Sequence, residues 1–552
     1  MSEKPLQAAR IVSSVAATCI ALACGTNYAF SNWGPQFADR LKLSSTQINL
    51  IGLFGNLGMY ACGIPIGLLV DGKGPRPAVL LGTILLAAGY FPLYQAYDRG
   101  SGWLPLLCLY SFFTGLGGCA ANAAAIKTSA LNWPHNRGTA TAFPLATFGL
   151  SAFFFSAFTA FTFPGDAGHF LLVLACGTSG TVFLGFFFLR VIPHTHYSAL
   201  PGHNRSDSNR LHRTKSEDSR RAERDVVEGE PGMLSPSVAS SGKHHILNHH
   251  VIEAEVPENG VTSDTDETSS LMSKSTDEES RKNVDETDKK DHAHRVDIRG
   301  LQLFKTVEFW QLFALMGILT GIGLMTINNI GNDAQALWRH WDDSIPEEFI
   351  MHRQAMHVSI LSVCSFTGRL LSGTQPPLFH KFSFSNASVG VGSDFLVKVL
   401  RCSGLWCLTL ASLIFFVAQI AALNTENPHL LFLVSSFTGL GYGFLFGCFP
   451  SLVAEAFGVH GLSTNWGFMT LSPVLSGYIF NLFYGVVYDQ HSIVKDGGVR
   501  ECTEGLQCYR SAYLVTVAAS VLGLLVSLWC IRYTHLERLE EARKIEADER
   551  VE

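Results

Sequence analysis

The sequence predicts an all-α membrane protein, with twelve transmembrane helices in two six-helix bundles. Three observations predict it. Twelve runs meet or approach the ~20 apolar residues that carry a helix across ~30 Å of hydrocarbon. They fall six and six around one long polar stretch. A five-residue sequence recurs at corresponding places, as Phe113-Thr114-Gly115-Leu116-Gly117 in the fourth run and Phe437-Thr438-Gly439-Leu440-Gly441 in the tenth.

In chain order, residues 1–193 hold the runs Ile11–Gln36, Gln47–Val70, Ala78–Tyr97, Leu104–Ser129, Thr139–Phe163 and His169–Leu189. Residues 194–298 are rich in Ser, Asp, Glu, Lys and Arg and cannot bury enough apolar surface to offset the entropy of ordering, so a disordered loop is expected. Residues 299–535 hold Phe309–Leu337, Ala355–Leu371, Leu405–Leu423, Leu430–Ala456, Leu462–Val487 and Ser511–Ile531, and 536–552 form a polar tail. Composition agrees. Only 16% of the 552 residues are charged, 47% are hydrophobic and the mean hydropathy is +0.21, whereas soluble domains carry roughly 25% charged residues. Secreted disulfide scaffolds, nucleic-acid binders and ordinary cytosolic enzymes are thereby excluded. No nucleotide-binding loop, catalytic triad or metal cage occurs, so no enzymatic activity, cofactor or metal is expected. The pairs His244-His245 and His249-His250 read as a solvated patch, because no cysteine stands near them at zinc-site spacing.

Orientation follows from basic residues near span ends. With the N-terminus in the cytosol, the cytosolic flanks hold Lys4, Arg10, Lys73, Arg76, Lys127, Arg137, Arg190 and further bases of the second half, and the opposite flanks hold fewer. Both termini and the polar stretch are then cytosolic. The sequons at Asn204 and Asn386 should in that case carry no glycan. Cys502 and Cys508 fall on the non-cytosolic side, in a polar loop and separated by five residues, where a disulfide can persist.

Between the second and third runs stand Gly67, Asp71, Gly74, Pro75 and Arg76. They resemble the major facilitator signature G-x-x-x-D-x-x-G-x-R. Two glycines allow a tight turn, and Asp71 sits at a helix end where it can pair with a base or a neighbouring helix N-terminus and latch the halves. The second half repeats part of this as Gly368-Arg369-Leu370, and Asp394 takes the place of Asp71 once Thr374 to Gly390 are read as an insertion or an unspliced segment. Glycine-rich stretches from Gly25-Thr26-Asn27-Tyr28 to Gln36, from Gly323 to Gly331, and from Tyr442-Gly443 to Pro450 are similar to the nodulin-like major facilitators. The likeness is strongest to a fungal, monocarboxylate-transporter-like branch.

The resemblance implies a solute carrier, though no particular solute, and implies that spans 1, 4, 7 and 10 line the cavity; the function expected is secondary active or facilitative transport of a small polar or anionic solute by alternating access. The cavity candidates are then Asn27, Tyr28, Asn32, Asn122, Lys127, Asn328, Asn329, Asn332 and Tyr442. Amides and phenols there can hydrogen-bond a solute, or can stitch helices together. Lys127 also reads as a lysine snorkelling to water. A gating turn is expected from Gly67, Asp71, Gly74, Arg76, Arg369 and Asp394. No carboxylate stands near the middle of a span, so proton coupling falls to Asp333 or His357. A non-transporting sensor or scaffold on the same fold is the alternative. The expected partners are the bilayer, the solute and sorting adaptors. The adaptors would read Glu267, Leu271 and Met272, an acidic dileucine match that favours a vacuolar membrane over the plasma membrane.

Overall fold

Helix ends follow the punctuation of the sequence. The computed structural model describes residues 3–133, 137–192, 298, 300–342, 344–372, 405–457, 462–494 and 500–550. Span 1 is α1 (Glu3–Cys24), a 3-10 turn (Thr26–Ala29) and α2 (Phe30–Leu41). Span 2 is α3 (Ser45–Ala61) and α4 (Gly63–Lys73), bent by 42° at Cys62. Ser44 and Gln47 form a capping box at the start of α3, satisfying two backbone N–H groups reciprocally. Gly74, at φ +82°, with Pro75 behind it, separates α4 from α5 (Pro75–Arg99). The first half closes with α6 (Leu104–Asn132), α7 (Arg137–Thr162) and α8 (Ala167–Phe188).

The second half has α9 (Val307–Trp341), α10 (Glu347–Ser372), α11 (Leu405–Asn424) and α12 (Leu431–Phe457). It ends with α13 (Leu462–Met469) and α14 (Ser472–His491), which together make span 11, and α15 (Arg510–Glu549). Among the described residues, ten helices are long and apolar enough to cross a membrane, and the bent α3–α4 pair makes eleven. The twelfth by position is α10. It falls short because it carries Glu347, Glu348, His352, Arg353, Gln354, His357 and Arg369. Gln354, His357 and Arg369 are buried among other helices, so this span need not be apolar to sit in a bundle. The fold is the twelve-span class that the sequence predicts.

The repeated pentapeptide does the same work twice. A Cβ on Gly115 would run into the Gly55 carbonyl of span 2, and one on Gly439 would run into the Leu361 carbonyl of span 8. Two residues on, Gly117 meets Gly82 of span 3, and Gly441 meets Phe415 of span 9. At Gly115, Gly117 and Gly439 the small residue lets backbones touch, and at Gly441 it admits the Phe415 ring, which is how helices associate where lipid removes the hydrophobic drive. The halves meet along α7–α10, α3–α14, α2–α9 and α4–α13. On the α7–α10 seam, Ser362 Oγ accepts from Phe153 N–H at 3.0 Å and donates to the Gly149 carbonyl at 2.7 Å.

One face of the bundle, here the terminal face, gathers the beginning of span 1 with the ends of spans 4 and 6. Ser13 Oγ and Asn132 Nδ2 both donate to the Arg190 carbonyl, at 2.8 and 2.9 Å. At the opposite face, the loop between spans 11 and 12 forms a short antiparallel pair, β1 (Ile493–Val494) and β2 (Arg500–Glu501). Cys502 and Cys508 are disulfide-bonded there, with Cα atoms 6.1 Å apart, and both are fully buried. The loop is held onto the end of α9: Arg339 pairs with Glu501 at 2.9 Å, and the Thr503 carbonyl lies 2.9 Å from His340 Nδ1. The polar stretch with its His pairs and Glu267, Leu271 and Met272, both sequons, the Thr374–Gly390 segment and Asp394 lie outside the described residues.

Candidate functional site

The α-helical course of span 1 breaks at Gly25, whose Cα packs on the Phe148 carbonyl of α7 so closely that no Cβ would fit. The following turn is pinned by side chains. Thr26 accepts a hydrogen bond from Tyr90 at 2.8 Å, and Asn27 donates to the Gly55 carbonyl at 3.0 Å while accepting from Thr114 at 3.2 Å. This break aims Tyr28 at the seam between the halves. There three phenols meet. Tyr28 Oη lies 3.3 Å from both Tyr60 Oη and Tyr442 Oη, and the last two are 2.6 Å apart. Tyr442 stands just after the second pentapeptide, where the first half has Gly118 after its own. The duplicated halves thus differ at the position that fills their interface.

Against this cluster lies Arg369, only 4% exposed. Its guanidinium stacks 5.4 Å from the Phe148 ring and 5.6 Å from the Phe446 ring, and Nη1 donates to the Leu145 carbonyl at 2.7 Å. Its Nε has no hydrogen-bond partner, nor does the neighbouring buried Ser365 Oγ. Both border Gly149, where a Cβ would come within 3.2 and 3.3 Å of them. Arg369, expected in a gating turn, stands in the last turn of α10 with its side chain buried. The side chain is turned inward, against α7 and α12, because the aromatic faces supply cation–π contacts that the terminal face lacks. Among the described residues no carboxylate pairs with it.

The other expected site residues divide. Asn32, one turn beyond Tyr28, donates to Ser156 at 3.3 Å. It borders a cleft of about 330 Å³ between spans 1, 5 and 8, rimmed by Asp166, Glu348 and His352 towards the opposite face. Asn122 is half-buried, with its carbonyl oxygen unpartnered. Asn27 stitches spans 1, 2 and 4. Asn328 and Asn329 both donate to Asn481 Oδ1, at 3.1 and 3.2 Å, and Asn332 donates to Asn329 at 3.3 Å. These amides tie span 7 to span 11 within one half, because a lone amide in a dry bundle is costly and a neighbouring one satisfies it.

Lys127 does not reach the tyrosines. It pairs with Asp71 at 2.5 Å near the terminal face, with both side chains partly exposed. Asp71 is thus engaged within its own half, and in this conformation it does not latch the halves. Around it, Gly67, Gly72 and Gly74 face open space, and Arg76 is exposed. Asp333 is fully buried and accepts from Tyr484 at 2.6 Å and Tyr513 at 2.5 Å, and His357 Nδ1 lies 3.2 Å from Ser435 Oγ. Sequence reasoning missed Tyr60 and the inward course of the Arg369 side chain. The signal for Tyr60 was its place two residues before the bend of span 2 at Cys62, on a span outside those expected to line a cavity.

Comparison with known proteins agrees with this architecture. The Nodulin-like family model matches residues 10–213. An uncharacterized membrane protein of Saccharomyces cerevisiae is 27% identical, over 97% of this chain and 96% of its own. The probable transporter MCH1 of Gibberella zeae is 26% identical, over 95% and 90%. The first half of the chain thus matches the Nodulin-like family model, and the whole chain is similar to fungal membrane proteins that include probable transporters. Solved transporter structures share the fold. The nucleoside transporter NupG superposes with a TM-score of 0.54 at 10% identity, covering 94% of this chain and 99% of that one. A bacterial homologue of the human lysosomal transporter Spinster, inward-facing and unoccupied, gives 0.51 at 12% identity, covering 96% and 98%. Arg369, Ser365 and the three tyrosines are contributed by spans 1, 2, 8 and 10, so both halves own part of the candidate site.

Proposed function

We propose that the chain is a transporter that moves a small anionic solute across a membrane by alternating access of its two six-helix halves, with Arg369 as the counter-charge. One observation carries this reading: a buried guanidinium at the seam of the halves with an unpartnered N–H. A cation at membrane depth is expensive and marks a substrate path by default. An incoming carboxylate would accept from Nε, and the phenols of Tyr28, Tyr60 and Tyr442 offer further hydroxyls to the solute's polar end. The curated relatives called probable transporters support the class.

The finer assignments belong to the same proposal. Residues 1–193 and 299–535 act as the two moving bodies, and both termini face the cytosol. A vacuolar membrane reached through sorting adaptors follows from the dileucine match. If uptake is proton-coupled, Asp333 or His357 carries the proton. The test is uptake into vesicles holding the purified protein, with a panel of monocarboxylates, amino acids and neutral metabolites. Arg369→Gln should lower anion uptake by about 2 kcal/mol of binding or more, roughly 30-fold, and Arg369→Lys should restore part of it. Uptake of neutral solutes alone, unchanged by Arg369→Gln, refutes the reading.

A further inference from the structure

We propose that Asp489 is the latch that holds the halves shut at the face opposite the termini. It clasps the N-terminus of a helix belonging to the other half. The first turn of α3 needs partners for its leading N–H groups. Its own capping box serves Ser44 and Gln47. The N–H groups of Ser45 and Thr46 instead donate across the seam to the two carboxylate oxygens of Asp489, at 2.7 and 2.9 Å, and Thr46 Oγ1 adds a third bond at 2.5 Å. Asp489 lies in the last turn of α14. One turn earlier, Gly485 lets α14 approach so closely that a Cβ there would lie 2.7 Å from Thr46 Cα.

The arrangement is a carboxylate on a helix N-terminus, where charge-assisted bonds and the helix dipole act together. Arg500 lies 3.9 Å away on the outer side. The same face is further closed by Gln36 donating to Gln354 at 2.6 Å and by Gly331 N–H donating to Ser31 Oγ at 2.6 Å. At the terminal face the corresponding acid, Asp71, is held by Lys127 of its own half. The two faces therefore differ in kind. Opening the opposite face must break three bonds to one side chain. Asp489 thus sets the ratio of the two states by a differential contact, present in one and absent in the other.

This rests on the alternating-access reading, but its test needs no solute and so fails or succeeds independently of any uptake assay. Full-length protein in lipid nanodiscs is compared with Asp489→Ala by amide hydrogen exchange. The variant should exchange faster at the opposite face, around residues 30–50 and 331–350. It should exchange more slowly at the terminal face, around residues 63–76 and 120–133, with a shift in the state ratio of about tenfold or more. Faster exchange confined to the first turn of α3, or no change at either face, overturns the proposal and leaves Asp489 as a helix cap. Should Asp489→Ala yield no folded protein, Thr46→Val decides by the same criteria. It removes one of the three bonds and leaves the carboxylate on the backbone.

Discussion

One substitution, Gly→Ala, made at three places separates close helix packing from helix propensity. In the interior of a helix, alanine is favoured over glycine by about 1 kcal/mol. At Gly180 in α8 an added Cβ meets nothing within 4 Å, so Gly180→Ala should be neutral or stabilising. At Gly115 and Gly439 the added Cβ collides with a backbone carbonyl, of Gly55 and Leu361 respectively. A carbonyl inside a helix cannot rotate away, so two helices must separate. Overpacking of this kind costs about 1–3 kcal/mol. Gly115→Ala and Gly439→Ala should therefore melt below Gly180→Ala by that difference. The assay is thermal unfolding of the purified protein followed by tryptophan fluorescence, in one detergent for all three variants. If either pentapeptide variant melts at or above Gly180→Ala, the equivalence of the two glycine seams is wrong.

Cys502→Ser should cost about 2 kcal/mol, as expected for so short a closed loop, and lower the melting temperature. It should leave solute selectivity unchanged, because the loop rests on the end of α9 and not on the tyrosines; a change in selectivity would sink this. Asp166 caps α8 by accepting from His169 N–H at 3.0 Å. Partial burial tends to raise its carboxyl, but the His169 N–H and ring outweigh this and hold it below the ordinary 3.8. A depressed acid stabilises above its unfolded value, and that contribution is lost as pH falls through the lower folded one. Asp166→Asn keeps a capping oxygen and should remove this acid-side loss from a melting-temperature profile below about pH 4; an unchanged profile would refute the assignment.

Much of the fold was legible because membrane helices announce themselves by length and apolarity, and because the pentapeptide repeat marks duplicated packing. The eighth span was legible as Ala355–Leu371, but not its earlier turns from Glu347, whose charged and polar side chains hide them from a reading by apolarity. In the site, Tyr28, Asn32 and Tyr442 could be read as polar groups on spans that resemblance places centrally. The tie between Asn328, Asn329 and Asn481 could not, since an amide offers the same chemistry to a solute and to another amide. Arg369 was placed by its position beside Gly368, which resembles the turn at Gly67–Asp71 and says nothing of where the side chain points. Only the aromatic rings of Phe148 and Phe446, distant in sequence, show that it turns inward.

The Ser362 hydroxyl gives the seam between α7 and α10 an unusual economy. Phe153 and Gly149, which it bridges, are four residues apart, the natural partners of a single rung in the α7 ladder. While the halves are pressed together the hydroxyl stands between them as a spliced link. Were α10 to withdraw, as the alternating-access proposal requires, the N–H and the carbonyl would be placed to bond each other, and neither would be stranded in hydrocarbon. On that proposal the joint is self-healing: it could be parted and remade without leaving a raw backbone edge.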